Sequence, residues 1–213
     1  MKRINTKILL TIIALLIVFH AHAQEKKFNF GLKIAPAISW LNIENDDNVS
    51  TGISSDGAVA KFNWGFFGIY NATENFGLVS GFNVNHLGGN IKYSDGGGTS
   101  VRAKHKYSEI QIPFLLQMQS NEILDFRIFF QLGIAGGYFL KARDGNDKKL
   151  ENETSDFNSA FIISGGIYYP FIGGLNLMGQ FKYNGGLNNI SRRDGFDGKI
   201  KTSFVELTFG LMF

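Results

Sequence analysis

FRIFFQLGIAGGYFLK, residues Phe126 to Lys141, alternates with period two from end to end. Phe126, Ile128, Phe130, Leu132, Ile134, Tyr138 and Leu140 fall on one side of an extended chain; Arg127, Phe129, Gln131, Gly133, Ala135, Gly137 and Lys141 fall on the other. Successive side chains of a strand point to opposite faces, so the segment reads as a strand with one apolar face and one polar or small face. The same separation holds between Ser108 and Gln119, where Ile110, Ile112, Phe114, Leu116 and Met118 oppose Glu109, Gln111, Gln117 and Gln119. From Phe28 onward, Phe28, Phe30, Leu32, Ile34, Ile38 and Trp40 oppose Asn29, Gly31, Lys33, Ala35, Ala37 and Ser39.

Less regular versions occupy Val59 to Tyr70, Phe76 to His86, Phe157 to Tyr169, Leu175 to Leu187 and Ile200 to Phe213, which makes eight strands. In the segment from Phe157, Phe161, Ile163, Ile167 and Tyr169 share a face while Ile162 and Tyr168 take the other. The connections alternate. Asn71–Asn75, Ser120–Asp125 and Pro170–Gly174 are short, and between them lie the long polar stretches Asn42–Ala58, Leu87–His105, Ala142–Asp156 and Asn188–Lys199. Eight strands with both ends on one side of a membrane require three short turns and four longer loops.

Further features bear on where such a chain resides. Lys2, Arg3 and Lys7 precede the apolar run Ile8–Phe19 and then Ala21-His22-Ala23, the layout of a secretory signal cleaved between Ala23 and Gln24. A domain division of 1–23 (signal peptide) and 24–213 (barrel) is expected. Without the three signal cations, the basic residues equal the 18 acidic ones in number, so the precursor's net +3 gives no reason to expect nucleic acid as a partner. There is no Cys, hence no disulfide and no lipoprotein anchor. The remaining chain is rich in Gly (26) and Phe (21), poor in Pro (3), and carries no apolar run long enough to span as a helix. A closed barrel can still cross a membrane, because every backbone group is satisfied between strands.

A soluble lipid-carrier barrel would also alternate, with its apolar face inward. Three features favour the membrane form. The connections alternate long and short. Aromatic residues cluster at two levels, with Phe28, Tyr70, Phe76, Phe126, Tyr169 and Phe213 at one, and Trp40, Phe62, Trp64, Tyr138, Phe161 and Tyr183 at the other. The last strand, Val205, Leu207, Phe209, Leu211 and Phe213, closes the chain on an aromatic, with Leu207, Phe209, Leu211 and Phe213 read as an assembly signal for the outer-membrane barrel assembly machinery. The expected fold is all-β: an eight-stranded antiparallel up-and-down transmembrane β-barrel. Pro36 and Pro113 interrupt strands and predict bulges.

Two segments carry a resemblance. YSEIQIPFLLQM (Tyr107–Met118) resembles the Y-x-E-I-P-x-L-L strand of the PorT-like outer-membrane β-barrel family of Bacteroidota. KYNGGLNNI (Lys182–Ile190) resembles that family's R-Y-x-x-G-L-x-N-I stretch, and both end on Gly-Leu-x-Phe. This chain departs by inserting Gln111 between Ile110 and Ile112, and by carrying Lys182 in place of Arg. The resemblance covers the chain beyond the signal and implies an outer-membrane location and a barrel. Through PorT it also implies an accessory role in type IX secretion and gliding.

The polar face supplies Lys33, Lys61, Glu109, Arg127, Lys182 and Glu206. Eight strands leave a lumen that side chains fill, so these six are expected to form an internal charge network, with Glu109 and Glu206 each contacting Arg127, Lys182 or Lys33. No catalytic site, cofactor or metal is expected. His86, His105, Ser108 and Glu109 lie near one another in sequence, but Ser108 points with Ile110 to lipid while Glu109 points inward. Asp144, Asn146 and Asp147, like Glu44, Asp46 and Asp47, lack EF-hand spacing and read as solvated loop charge. Gly96-Gly97-Gly98 has no following Lys and reads as a flexible loop.

The expected function is that of a non-enzymatic outer-membrane barrel in contact with outer-membrane lipid. Its external loops carry Asp46, Asp47, Asp95, Arg102, Lys148, Glu151, Arg192, Arg193 and Asp194, and would meet a surface or secretion-system protein partner. A narrow channel and a lipid-active enzyme are the alternatives.

Overall fold

A computed structural model describes residues 27–44, 52–94, 100–144, 149–150, 154–192 and 198–213. The proposed signal and cleavage point, Ala23 and Gln24, lie outside the described residues, as do Asp46, Asp47, Asp95, Asn146, Asp147, Lys148, Glu151, Arg193, Asp194 and the Gly96–Gly98 run. The strands are β1 (Phe28–Glu44), β2 (Ile53–Ser55), β3 (Val59–Asn71), β4 (Phe76–Ser94), β5 (Ser100–Gln119), β6 (Arg127–Arg143), β7 (Phe157–Pro170), β8 (Asn176–Gly186) and β9 (Lys199–Met212). Leaving aside the three-residue β2, eight long strands pair antiparallel in the cyclic order β1-β3-β4-β5-β6-β7-β8-β9, and β9 returns to β1. The ring therefore has no free edge. At the final seam, Phe213 N donates to Phe30 O at 2.8 Å and Phe30 N donates to Phe213 O at 3.1 Å, so the last residue is stitched to the first strand.

The apolar face points outward. Leu32, Phe114, Leu116, Ile134 and Phe209 are each more than half exposed, whereas Gln111, Gln117 and Thr208 between such residues are nearly fully buried. So many outward apolar side chains in water would be untenable for a soluble domain; in hydrocarbon they are the required surface. In β7 the two apolar residues of opposite parity, Ile162 and Tyr168, are 0% and 3% exposed and fill the interior. The aromatic levels also appear. Phe28 stacks near Tyr70 and Phe126 near Tyr169 at the short-turn end, while Trp40, Phe161 and Tyr183 group at the other.

Two expectations need correction. No bulge forms at Pro36 or Pro113. The β1–β9 ladder lapses opposite Ala35 and Pro36, the β4–β5 ladder lapses opposite Ile112 and Pro113, and each resumes in the same register. A missing N–H removes a ladder bond without adding a residue, so the strands part locally and rejoin. The bulge lies elsewhere, between Ser108 and Glu109 in the β5–β6 pairing, where Leu140 is the extra residue of β6.

The stretch Leu87–His105 is also no irregular loop. β4 and β5 stay paired as far as Ser94 and Ser100, because alternation continues through Leu87, Ile91, His105 and Tyr107, all buried. This extension bends over the barrel mouth. Ser39 Oγ of β1 donates to Gly88 O at 2.9 Å and accepts from Gly88 N at 3.0 Å, and β2 from the first long connection pairs along the edge of β4 beyond the reach of β3.

Candidate functional site: the filled lumen and the long-connection rim

Along each strand the inward residues change character. On β5, Leu115 belongs to an apolar cluster at the short-turn end and Tyr107 to a second at the long-connection end, with Gln111 and Glu109 between. On β9, Met212 and Phe204 play those parts around Thr208 and Glu206. The interior is thus two apolar plugs with a polar layer between them. Leu41, Leu87, Ile91, Phe139 and Phe204 form much of the plug at the long-connection end.

The pairing Lys182↔Glu206 between β8 and β9 sets the charged centre of that layer. Lys182 Nζ lies 2.6 Å from Glu206 Oε1, both residues 2–3% exposed, and the ammonium also sits 5.4 Å over the Phe204 ring. Glu206 accepts further bonds from Asn63 Nδ2 at 2.8 Å and Thr208 Oγ1 at 3.0 Å. Lys33 makes no direct bond but stands in the field of Lys182 and Glu206. It faces a cavity of about 10 Å³ with the unpartnered amide of Asn83, room for one water.

The other predicted members separate. Glu109 is fully buried, yet no cation among the described residues reaches ion-pair distance; it accepts from Asn158 Nδ2 at 3.0 Å and Asn85 Nδ2 at 3.5 Å. Arg127 opens β6 at the short-turn rim, is exposed, and pairs with Glu122 at 3.6 Å, so it takes no part in the interior. Lys61 sits near the long-connection end of β3, in the field of Lys104 and Lys106. Both share the inward parity, but parity does not record height along the barrel, and each stands too near an end. Sequence reasoning overlooked the amide ladder that does most of the filling. Gln131 donates to Gln117 at 2.7 Å, Gln180 to Gln131 at 2.7 Å and to Ser164 at 2.9 Å, and Tyr168 to Gln117 at 3.0 Å. The signal was present, since Gln117 has the parity of Glu109 on β5, Gln180 that of Lys182 on β8, Gln131 that of buried Ala135 on β6, and Ser164 and Tyr168 that of buried Ile162 on β7.

Among the described residues, His86 and His105 are held apart. His86 faces its cross-strand partner Ser108 on the outside, and its Nδ1 lies 2.8 Å from Phe62 O. His105 points inward between the hydroxyls of Tyr93 and Tyr107, and Glu109 is inside the wall from Ser108. Among the described residues no group of three His, Asp or Glu side chains converges for a metal. At the rim, Glu44 bonds Lys201 at 2.7 Å, which lowers the carboxyl pKa from its ordinary value, and Arg192 meets Asp156 at 3.3 Å.

A closed ring, an outward apolar belt between aromatic levels and a polar filled interior leave one environment for this wall, a lipid bilayer. Residues 22–192 match the family described as outer membrane protein beta-barrel domain. The chain belongs to that family. No curated protein sequence matches it. Among solved structures it is similar to Neisserial surface protein A, at 12% identity and a TM-score of 0.53 over 87% of this chain and 96% of that one. It is likewise similar to OprG from Pseudomonas aeruginosa, at 13% identity and a TM-score of 0.50 over 87% and 95%. These likenesses carry the fold. Barrels of the outer membrane have their short turns in the periplasm and their longer loops outside.

Proposed function

We propose that this protein is a non-enzymatic, non-conducting outer-membrane barrel that holds its long external connections at the cell surface for contact with a protein, glycan or surface partner. The observation that carries this reading is the filled lumen: the apolar plug beneath the outer mouth, the Lys182–Glu206 pair and the amide ladder occupy the interior of the ring. Planar-bilayer recording of the purified protein tests it. Silence is expected, and steady openings would favour a channel instead.

Two finer readings rest on sequence. The Tyr107–Met118 and Lys182–Ile190 segments support a PorT-like protein accessory to type IX secretion and gliding. Deleting the gene should impair export of proteins with type IX sorting domains, and unimpaired export would remove that role. The N-terminal layout supports cleavage after Ala23, checked by the mass of the exported protein. The outward Leu207, Phe209 and Leu211, with Phe213 at the seam, suit recognition by the assembly machinery.

A further inference from the structure

We propose that a hollow in the outward wall, floored by Gly68 and Ser80, holds one acyl chain of a phospholipid from the leaflet at the short-turn end, more firmly than lipid is held around the rest of the belt. The inference rests on the membrane wall alone, so a conducting lumen would leave it standing.

The hollow begins in the sequence. The outward series of β3 runs Phe62, Trp64, Phe66, Gly68, Tyr70, and that of β4 runs Phe76, Leu78, Ser80, Phe82. Each series is broken once by a small residue, and the register sets the two breaks opposite one another, Gly68↔Ser80. The same row continues to Phe30 of β1, which pairs with Gly68, and to Phe114 of β5, which pairs with Ser80. Two large rings therefore flank two small residues at one height on adjacent strands. The rows on either side close the hollow along the strands. Towards the long connections the Phe66 and Phe82 rings stack with 5.4 Å between centroids, 13° from parallel. Towards the short turns Tyr70 pairs with Leu78, and the Phe28 ring lies 4.8 Å from that of Tyr70.

The open space is about 860 Å³, and Leu116, Leu132 and Ile134 extend its wall towards β6. Apolar ligand sites in proteins run to about 300–1,000 Å³, so one chain segment is a fitting occupant. The Phe30 ring leans over Gly68, within 3.3 Å of where a Cβ would stand, which leaves the open part of the floor at Ser80. Ser80 Oγ donates to Pro113 O at 2.8 Å, where the β4–β5 ladder lapses. The hydroxyl proton is thereby spent within the wall. Apolar sides over an engaged hydroxyl suit hydrocarbon and offer little to a hydrogen-bonding ligand.

The place of the hollow selects the occupant. It is continuous with the lipid-facing belt and lies one outward row inside the aromatic level of Phe28 and Tyr70. Two residues of strand span about 7 Å, so the hollow meets the methylenes next to the headgroups of that leaflet. Transfer from water contributes nothing to a preference for it, since the alternative environment is also hydrocarbon. Packing does contribute. A chain on a smooth wall is touched from one side, whereas a chain among Phe30, Phe66, Phe82 and Phe114 is touched from several. Protein groups pack at crystal-like density and organic liquids more loosely, so the hollow gives the chain more dispersion contacts than neighbouring lipid does.

The test is native mass spectrometry of the folded barrel released from detergent micelles, with phosphatidylethanolamine, phosphatidylglycerol and phosphatidylcholine of identical chains supplied in turn. Under activation that strips the surrounding lipid, wild type should keep one phospholipid, and Ser80→Phe, which fills the floor, should cut the retained fraction roughly tenfold. Ser80→Ala leaves the hollow open and should retain lipid as wild type does. So should Gly179→Phe, at an outward position of β8 where a Cβ meets only the Ile167 side chain at 3.8 Å. Retention that survives Ser80→Phe, disappears in Ser80→Ala or falls equally in Gly179→Phe would overturn the proposal. Retention that follows the headgroup would overturn it in favour of a headgroup site. A mass of two barrels that Ser80→Phe separates would overturn it in favour of a second copy as occupant. Should Ser80→Phe not fold, wild type answers alone. A photoreactive diazirine near the carbonyl end of the acyl chain should attach chiefly to peptides containing Phe30, Ser80 or Phe114, and equal attachment at Ile163 and Phe181 on the far wall would overturn the proposal.

Discussion

A carboxylate inside a wall that faces hydrocarbon must be met by donors from the same confined space. Glu206 is met by Lys182, Asn63 and Thr208. Lys182→Met should therefore cost about 3–5 kcal/mol in urea unfolding of the lipid-refolded barrel, and adding Glu206→Gln should restore much of it. An undiminished loss in the double variant would show that the uncompensated charge is not the cause. Glu109 depends on amides and on space. A Cβ at Gly137, its inward neighbour on β6, would run into the Glu109 carboxylate, so Gly137→Ala should destabilise by roughly 1–3 kcal/mol in the same assay, and Gly136→Ala, where a Cβ meets nothing, should be far milder. Glu109, Lys182 and Glu206 are buried as their parity implies, because the two neighbours of each in its strand point outward. Which of them meet depends on register between strands, which one sequence does not encode, and hence Arg127 and Lys61 were grouped with groups they never reach.

At the scale of elements, the legible features were those with a local cause. Three short turns and the period-two strands follow from the order of residues. The reach of β4 and β5 beyond the membrane was missed because polar Asn90 and Lys92, interleaved with Leu87 and Ile91, read as loop, although they are the outward half of a continuing alternation. The turn from β5 to β6 shows the opposite case, in which residues adopt a conformation they do not favour. Ile123 and Phe126 bond reciprocally across Leu124 and Asp125, whose φ values are 48° and 68°. A two-residue hairpin with both central residues at positive φ suits Asn-Gly, whereas Leu pays a penalty there. Leu124→Asn with Asp125→Gly should stabilise the barrel by about 1–2 kcal/mol, seen as a higher urea midpoint with unchanged slope. No gain would mean that the turn relaxes to another conformation in the refolded barrel.

At the scale of the whole molecule, the outward apolar belt and the polar, plugged interior are one statement about orientation. Reversing it would turn the chain into a soluble carrier with a greasy cavity. Sequence periodicity could not choose between the two, since both alternate; the exposure of each face does. The sharpest contrast is between neighbours on β5, where Leu116 is 64% exposed and Gln117 is 1% exposed. A small fluorophore attached at Leu116→Cys, and in a separate variant at Ser80→Cys on the adjacent strand, should be quenched strongly by a quencher carried on lipid acyl chains in refolded vesicles. Labelling of Gln117→Cys in the folded barrel should be slow and its signal indifferent to that quencher. Strong lipid quenching at Gln117 with a protected Leu116 would contradict the barrel described above.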